Sequence, residues 1–171
     1  MPVQGRRRRE PRREPKKPKS CHERALGLLA VRPRTRRELE RRLLAARFER
    51  REVEDVLVRL ERVGLVDDRA FAEQFAEHQY ENRLAGRRAV TGGLMAKGVS
   101  PAIAASVVRD GEDEQERADR LARSKATRMS GIDDPARAFT RLTGLLMRRG
   151  YGPEVARAAV RRALRLEASE D

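Results

Sequence analysis

One short segment of this chain recurs twice at nearly constant spacing, and this repetition restricts the fold more than any other feature. The segment at residues 43–48 (LLAARF) returns in altered form at residues 94–99 (LMAKGV) and at residues 146–151 (LMRRGY). Such self-similarity indicates one supersecondary unit of about 50 residues used three times. A single unit of this kind buries its apolar face poorly alone, so we expect neighbouring copies to stack into an elongated, curved array.

The composition indicates which residues form the core and the charge of the partner. The 171 residues carry a formal net charge of +13, with 39% charged and only 4% aromatic residues. The core must therefore come from Leu, Val and Ala. The excess positive charge indicates a polyanionic partner: nucleic acid, an acidic protein surface or anionic lipid. Arginine greatly outnumbers lysine, but a GC-rich genome also produces that bias, so arginine usage alone is weak evidence for phosphate recognition.

The cysteine content and the hydropathy pattern indicate the compartment. The single cysteine, Cys21, excludes an internal disulfide and fits a reducing environment. No apolar run approaches the roughly 18 residues that span a bilayer. The basic start of the chain is not followed by the apolar stretch of a secretory signal. We therefore expect a cytoplasmic protein without a membrane segment.

Residues 1–19 form a tail that differs in composition from the rest of the chain. It contains nine basic residues, two acidic residues and four prolines. With almost nothing to bury, this segment should be disordered. It is either an arm that binds nucleic acid or a solubilising extension, and the sequence favours neither.

The remaining residues have helical periodicity and no strand pattern, which predicts three helices in each of three units at 20–66, 67–111 and 112–171. In the first unit, Thr35 and Glu38 have the spacing of a capping box, in which Glu38 reaches back to the helix start. Gly64 has the position of a left-handed C-cap. The third helix of this unit should bury one apolar face: Val53, Val56, Leu57, Leu60 and Val63.

Helix-start signals divide the second and third units in the same way. They are Asp67-Asp68, Ser100-Pro101, Asp134-Pro135 and Gly152-Pro153, and Gly86 should break the second unit after its first helix. The acidic run at residues 112–116 suits a helix N-terminus. The predicted buried positions of these two units are Phe71, Ala72, Phe75, Ala76, Ile103, Val107, Val108, Ala118, Leu121, Ala122, Met129, Phe139, Leu142, Leu145, Leu146, Val155, Ala159, Ala163 and Leu166.

The repeats differ at one position that should control a turn. Arg47 stands where the other units have Gly98 and Gly150. A left-handed backbone costs an arginine about 1 kcal/mol relative to glycine, so we expect the first turn to be built differently. Phe48, Val99 and Tyr151 occupy one equivalent site, which predicts that Tyr151 packs in the core.

The segment at residues 64–73 (GLVDDRAFAE) resembles the most recognisable part of the RecX family, whose members regulate the RecA recombinase. Residues 25–39 (ALGLLAVRPRTRREL) resemble the family's opening, and Arg87-Arg88 with Lys97-Gly98-Val99 resembles its central element. The resemblance covers nearly the whole chain after the tail. The sequence departs from the family at Arg47 and at Thr91-Gly92-Gly93. Paired glycines inside a helix cost about 1 kcal/mol each, which should leave that helix short or mobile.

The resemblance implies an all-α protein of three tandem three-helix repeats that binds along the groove of the RecA–single-stranded-DNA filament. It implies inhibition of strand exchange and of ATP hydrolysis, with effects on DNA repair, recombination and the SOS response. It implies no chemistry of the protein's own. It supports the positions of Arg87, Arg88 and Lys97 and offers no invariant functional triad to transfer to this chain.

The residues themselves offer no catalytic constellation. Asp67-Asp68 is the one adjacent carboxylate pair that a catalytic role would suggest, and a helix cap explains it better. Cys21 and His22 lack the further ligands that zinc needs, and no glycine-rich phosphate loop is present. We therefore expect a non-enzyme without metal or cofactor.

Adjacent basic residues on the helices are the better functional candidates. Arg87 and Arg88 stand out, because cations near a helix start disfavour their own helix, and binding would explain their presence. About half of all such arginines could simply be solvated. The predicted surface for the RecA–DNA filament contains Arg36, Arg37, Arg41, Arg42, Arg87, Arg88, Lys97, Arg148 and Arg149.

Two functions remain open at this point. The first is a monomeric regulator that contacts RecA and the RecA–single-stranded-DNA filament and that also binds naked DNA without sequence preference. With few aromatics for base stacking, such DNA binding would be electrostatic. The alternative is a helix-turn-helix regulator, although the third helices begin with Glu52-Val53, Pro101-Ala102 and Pro153-Glu154, which are poor base readers.

Overall fold

The structure, a computed structural model, describes residues 20–108, 112–127 and 134–165. Within these ranges the chain forms helices and no strands, as the periodicity predicts. The helices are α1 (Cys21–Leu29), α2 (Arg36–Ala45), α3 (Arg50–Arg62), α4 (Asp68–Arg83), α5 (Arg87–Ala96), α6 (Pro101–Val107), α7 (Glu112–Ala126), α8 (Pro135–Arg148) and α9 (Pro153–Leu164).

The nine helices of the described residues pack as three triplets: α1–α3, α4–α6 and α7–α9, here called the first, second and third units. Each unit has its own apolar core, centred on residues such as Leu57, Val90 and Leu146. Leu84 of the second unit packs against the core of the third unit, so neighbouring units stack on each other, as the repeat predicts.

Most predicted helix starts are confirmed. Asp67 accepts hydrogen bonds from the backbone of Arg69 and Ala70, each at 2.9 Å, and Ser100 accepts one from Ile103 at 3.3 Å. The capping box at Thr35 is only half formed. The Thr35 hydroxyl accepts from the Glu38 backbone at 3.1 Å, but the Glu38 carboxylate binds arginines instead of reaching back.

Three further details of the prediction are corrected. Val63 is 62% exposed rather than buried, because α3 ends at Arg62 and its apolar face stops with it. The chain leaves α4 through Leu84 at φ 45°, and Gly86 instead precedes α5. Helix α5 runs unbroken through Gly92-Gly93 and has the same length, 10 residues, as α2.

The turn at Arg47 is the same turn as in the other units, contrary to expectation. Arg47 adopts φ 68°, beside φ 87° at Gly98 and 89° at Gly150. The backbone of Phe48 bonds to the carbonyl of Leu43 at 3.4 Å, and the equivalent Val99 and Tyr151 make the same bond. Arg47 is exposed, so the left-handed backbone is the main cost of this turn.

Some predictions fall outside the described residues. They concern the tail at 1–19, Met129 and Leu166. Cores elsewhere agree: Leu142, Leu146 and Ala159 are fully buried, and Tyr151 is 1% exposed. Phe71 and Phe75 are only partly buried. The boundaries of the units at 66 and 111 stay predictions.

Candidate functional site

Adjacent units meet at a junction formed by the start of one helix and the turn of the next unit. In the first junction, the Thr35 hydroxyl donates to the Lys97 carbonyl at 2.6 Å. The backbone N–H of Arg36, the first residue of α2, donates to the Asp68 carboxylate of α4 at 2.8 Å. These two bonds fix the N-terminus of α2 against the second unit.

The second junction repeats this arrangement between the second and third units. The backbone N–H of Gly86 donates to the Arg149 carbonyl at 2.8 Å, and that of Arg88 donates to the Gly150 carbonyl at 3.2 Å. The N–H of Arg87, the first residue of α5, donates to the Glu114 carboxylate of α7 at 2.9 Å. The carboxylate offsets the helix dipole there, so the argument that Arg87 and Arg88 disfavour their own helix loses force.

Glycine is required in these turns for a steric reason as well as for its positive φ. A Cβ on Gly98 would lie 2.5 Å from Cβ and Cδ of Arg37. A Cβ on Gly150 would lie 2.3 Å from the backbone nitrogen of Ala89. The turn and the neighbouring helix are therefore in direct contact at both junctions.

An open groove of about 880 Å³ lies beside the first junction, between α2 and the end of α5. Six basic and two acidic side chains line it, together with apolar atoms of Leu44, Met95 and Ala96. We call it the α2–α5 groove. Its charged lining residues are Arg32, Arg37, Glu38, Glu40, Arg41, Arg42, Arg50 and Lys97. The excess of guanidinium groups gives the groove a positive potential that suits an anionic partner.

Glu38 organises one side of the groove. Its carboxylate accepts from Arg32 at 2.6 Å, from Arg42 at 3.0 Å and from the buried Arg34. Burial opposes ionisation of this group, but the three arginine hydrogen bonds outweigh it and hold the pKa of Glu38 below its usual value. Glu38 therefore stays charged and fixes Arg42 at the groove wall.

Lys97 reaches the groove over two aromatic rings. Its ammonium lies 5.4 Å from the centroid of Phe75 and 6.0 Å from that of Phe71. The two rings are stacked with centroids 6.3 Å apart. A Cβ on Gly93 would lie 2.8 Å from the Phe75 ring, so this glycine lets the ring approach α5. The departure at Gly92-Gly93 thus has a packing role at Gly93.

The structure divides the predicted site residues between the two junctions. Arg37, Arg41, Arg42 and Lys97 line the α2–α5 groove. Arg36 does not line it, because its guanidinium pairs with Glu54 at 2.5 Å and with Glu61 at 2.9 Å. The hydrogen bond with Glu54 is the main cause that raises the pKa of Arg36. The other predicted residues are at the second junction: Arg87, Arg88, Arg148 and Arg149.

The second junction is closed by side chains that the sequence analysis did not connect. The Tyr151 hydroxyl donates to the Leu84 carbonyl at 2.8 Å, and Arg149 donates to the Arg83 carbonyl, also at 2.8 Å. The guanidinium of Arg117 lies 4.2 Å from the centroid of the Tyr80 ring. Arg149 is thus partly committed to the protein itself, whereas Arg88 and Arg148 are exposed.

Two further groove residues, Arg32 and Arg50, were missing from the predicted surface. Arg32 follows the end of α1 and Arg50 begins α3, so only the packing of the first unit brings them to α2. The basic pair Arg50-Arg51 was visible in the sequence, but nothing in the spacing placed Arg50 in the same groove as Arg41.

Metal ligands and a reactive thiol are two features that chemistry would use. Among them, no three or more His, Cys, Asp or Glu side chains are placed to hold a metal ion. Cys21 is fully buried, and burial, reinforced by Glu52, raises the pKa of its thiol, which disfavours the reactive thiolate. In the described part of the chain, no helix is long and apolar enough to cross a membrane.

Comparison with known families agrees with this architecture. Family models described as the first, second and third three-helix domains of RecX match residues 21–60, 67–108 and 112–160. The chain belongs to the RecX family. The three matched segments contain the helix triplets α1–α3, α4–α6 and α7–α9 almost completely, which confirms three tandem repeats.

Relatives in two bacterial genera support this membership. The protein named regulatory protein RecX in Mycobacterium sp. is 36% identical over 152 residues, with 86% of this chain and 83% of the relative covered. That of Streptomyces coelicolor is 38% identical over 147 residues, covering 85% and 78%. The crystal structure of RecX from Lactobacillus salivarius has a TM-score of 0.73 at 20% identity, covering 84% of this chain and 94% of that one. It shows the shared fold.

Proposed function

We propose that this RecX protein binds the RecA–single-stranded-DNA filament and inhibits RecA strand exchange and ATP hydrolysis, using the α2–α5 groove as its main contact. The observation that carries the proposal is the groove itself, where basic side chains from α2, α3 and the end of α5 converge. Family membership supports the regulatory role.

The charge state of the groove supports a macromolecular anion as its occupant. Arg37 and Arg41 are exposed and make no ion pair with another described residue. An acidic protein surface or a row of phosphates would pair with them and release counterions. Leu44 and the 48% exposed Met95 add apolar area to the same lining, which suits a partner that contributes protein atoms as well as charge.

The array offers further contacts outside the groove. Arg88 and Arg148 at the second junction are exposed, so a partner that extends past the second unit would meet both basic regions. A filament repeats its surface from subunit to subunit, and an array of units can follow such a surface. Bridging neighbouring RecA subunits would hold the filament in one state and slow both strand exchange and ATP hydrolysis.

The test compares two double charge reversals. Arg37→Glu with Arg41→Glu should lower inhibition of RecA strand exchange at least tenfold, because the groove loses its unpaired cations. The control is Arg59→Glu with Arg62→Glu, which changes the same charge on the exposed face of α3 outside the groove. Equal loss of inhibition in both variants would indicate that the groove acts only through the overall charge of the protein. No loss of inhibition in either variant would reject the groove as the contact.

A second measurement addresses the second junction. Arg88→Glu should weaken inhibition less than the groove variant does, because the start of α5 presents fewer unpaired cations than the groove. Arg87 is less suitable for this test, since its backbone already binds Glu114 and a new carboxylate would repel that group. Circular dichroism melting of each variant separates lost binding from lost folding.

The partner is best identified by sedimentation with three forms: RecA–DNA filaments, free RecA and naked DNA at physiological salt. We expect preferential binding to filaments and weak binding to naked DNA that falls steeply as salt increases. The protein would act without catalysis of its own, in the cytoplasm and as a monomer. Strong sequence-specific binding to duplex DNA would instead favour a helix-turn-helix regulator, although α6 has only seven residues and starts at Pro101.

A further inference from the structure

We propose that the two ends of the array carry the two halves of the same junction, and that Arg47 and Pro135 prevent copies of the chain from joining head to tail through them. The junction has a donor half, which is the start of the second helix of a unit. It has an acceptor half, which is the left-handed turn after the second helix of the following unit together with a carboxylate at the start of that unit's first helix. The chain forms this junction twice, in one direction each time.

Both unused halves are exposed in the structure. The acceptor half of the first unit is the turn at Ala46 and Arg47, and both residues are exposed. The donor half of the third unit is the start of α8, where Asp134, Pro135 and Ala136 are exposed. A second copy of this chain therefore presents a matching half to each end, in the heterologous arrangement that forms open filaments.

The acceptor half is blocked by a side chain. In the used acceptor turns, a Cβ would lie within 2.5 Å of the donor helix at Gly98 and within 2.3 Å at Gly150. The first turn has the same backbone and the same left-handed φ, but it carries Arg47. The side chain thus occupies the space that a donor helix would need, at a position where glycine would be the unstrained choice.

The donor half is blocked by the loss of hydrogen-bond donors. Arg36 and Arg87, the first residues of α2 and α5, donate their N–H to a carboxylate of the following unit. Pro135 is the equivalent first residue of α8 and has no N–H. Asp134 is the N-cap of α8, at the position that Thr35 has before α2. The Thr35 hydroxyl donates to the Lys97 carbonyl. An ionised carboxylate cannot donate and would face a carbonyl oxygen across the junction.

The proposal is tested with two half-restored variants of the full chain. Arg47→Gly opens the acceptor half. Asp134→Thr with Pro135→Arg rebuilds the donor half in the form of Thr35-Arg36, while threonine keeps the N-cap. Each variant keeps one blocked end, so each should stay monomeric alone, and the mixture should form a heterodimer. Tethered units have effective concentrations of about 1 mM, so mixing should be followed up to that concentration.

The readout is nuclear magnetic resonance of the labelled acceptor variant with the unlabelled donor variant, together with sedimentation equilibrium. We expect saturable shifts centred on residues 46–48 and a weight-average mass rising towards twice the monomer value. The matched control is Arg165→Gly, which makes the same change at another left-handed arginine, φ 54°, away from the junctions. Absence of shifts, or equal shifts with the control, would overturn the proposal.

A further variant tests the blocking effect of arginine inside a single chain, without requiring two copies to associate. Gly98→Arg places in the first junction the residue that stands at position 47. It should open that junction, raising amide hydrogen exchange of Arg36 at least tenfold, because its N–H then loses Asp68. Amides in the middle of α2 should keep their protection. Unchanged exchange at Arg36 would show that an arginine in this turn blocks nothing.

Discussion

The two junctions have the same backbone frame and differ in what surrounds it. At the first junction, the sixth and seventh residues of α2 are Arg41 and Arg42, and the groove lies open beside them. At the second, the equivalent positions of α5 are Gly92 and Gly93, which extend no side chain from the helix. The second junction is instead closed by the bonds of Tyr151 and Arg149 to the chain after α4.

This difference shows how a repeated fold can separate support from binding. A junction that uses donors at a helix start and a short turn leaves the neighbouring surface free to vary. The second junction uses that freedom for packing, and the first uses it for a basic groove. The shared frame therefore predicts where the units meet, and the flanking residues determine what each junction can bind.

The largest effect should come from filling the contact at the second junction. Gly150 has φ 89°, and Gly150→Ala adds a Cβ 2.3 Å from the backbone nitrogen of Ala89. We expect the free energy of unfolding to fall by about 4 kcal/mol from overpacking and backbone strain. Gly98→Ala should cost less, because its Cβ meets side-chain atoms of Arg37 and not backbone atoms, although the Cβ of Arg37 can shift only together with α2. Urea unfolding followed by circular dichroism measures both.

Gly64→Ala serves as the control for that comparison. Gly64 also has a positive φ, 73°, but a Cβ there would meet nothing within 4 Å. Its cost should be the backbone term alone, about 1 kcal/mol. If the three alanine variants lose equal stability, the cost comes only from the left-handed backbone of the turns. The close contact at the junctions would then contribute nothing to stability.

Removing the charge that organises the groove should have the next largest effect. Glu38→Gln leaves Arg34, which is buried, without its carboxylate, so we expect a loss of about 3 kcal/mol. Glu40→Gln is the control, since Glu40 lies near the exposed Arg50 at 3.6 Å and should cost under about 1 kcal/mol. A similar loss of unfolding free energy in both variants would contradict the prediction that the Glu38 carboxylate stabilises the fold through the buried Arg34.

The same pair predicts a pH dependence. Because the folded state holds the pKa of Glu38 below its usual value, its contribution is complete above the unfolded pKa of about 4.3. It is lost as pH falls through the lower folded value. The difference in unfolding free energy between the wild type and Glu38→Gln should therefore shrink from pH 7 to pH 3. A constant difference would indicate that packing, not charge, gives Glu38 its effect.

The sequence allowed much of the fold to be predicted, because helix caps and apolar periodicity are local signals. Asp67, Ser100 and Leu146 behave as their patterns indicate. The junctions could not be predicted, since they pair residues far apart in the chain, such as Arg36 with Asp68 and Arg87 with Glu114. Neither partner carries a local signal for such a bond.

The candidate site was predictable only in part for a related reason. Adjacent arginines identify Arg41 and Arg42 as candidates, but the sequence does not show which guanidinium groups are already paired. Arg36 was an equally good candidate, and tertiary packing places it between Glu54 and Glu61 instead. The pattern of charges therefore locates a basic helix, and packing selects the face that remains available to a partner.

The smallest effect should come from the hydroxyl that distinguishes the two junctions. Tyr151→Phe removes the hydrogen bond to the Leu84 carbonyl, and its repeat equivalent Val99 has no such group. We expect the free energy of unfolding to fall by about 1 kcal/mol at pH 7, the net value of one hydrogen bond.

Burial raises the pKa of Tyr151 to about 12, so folding favours the neutral phenol. The wild type should therefore lose stability relative to Tyr151→Phe as pH rises from 10 towards 12, because the unfolded tyrosine ionises first. Denaturant titrations at pH 7 and pH 11 measure the change, and a gap that widens at pH 11 would contradict a buried, neutral donor at the second junction.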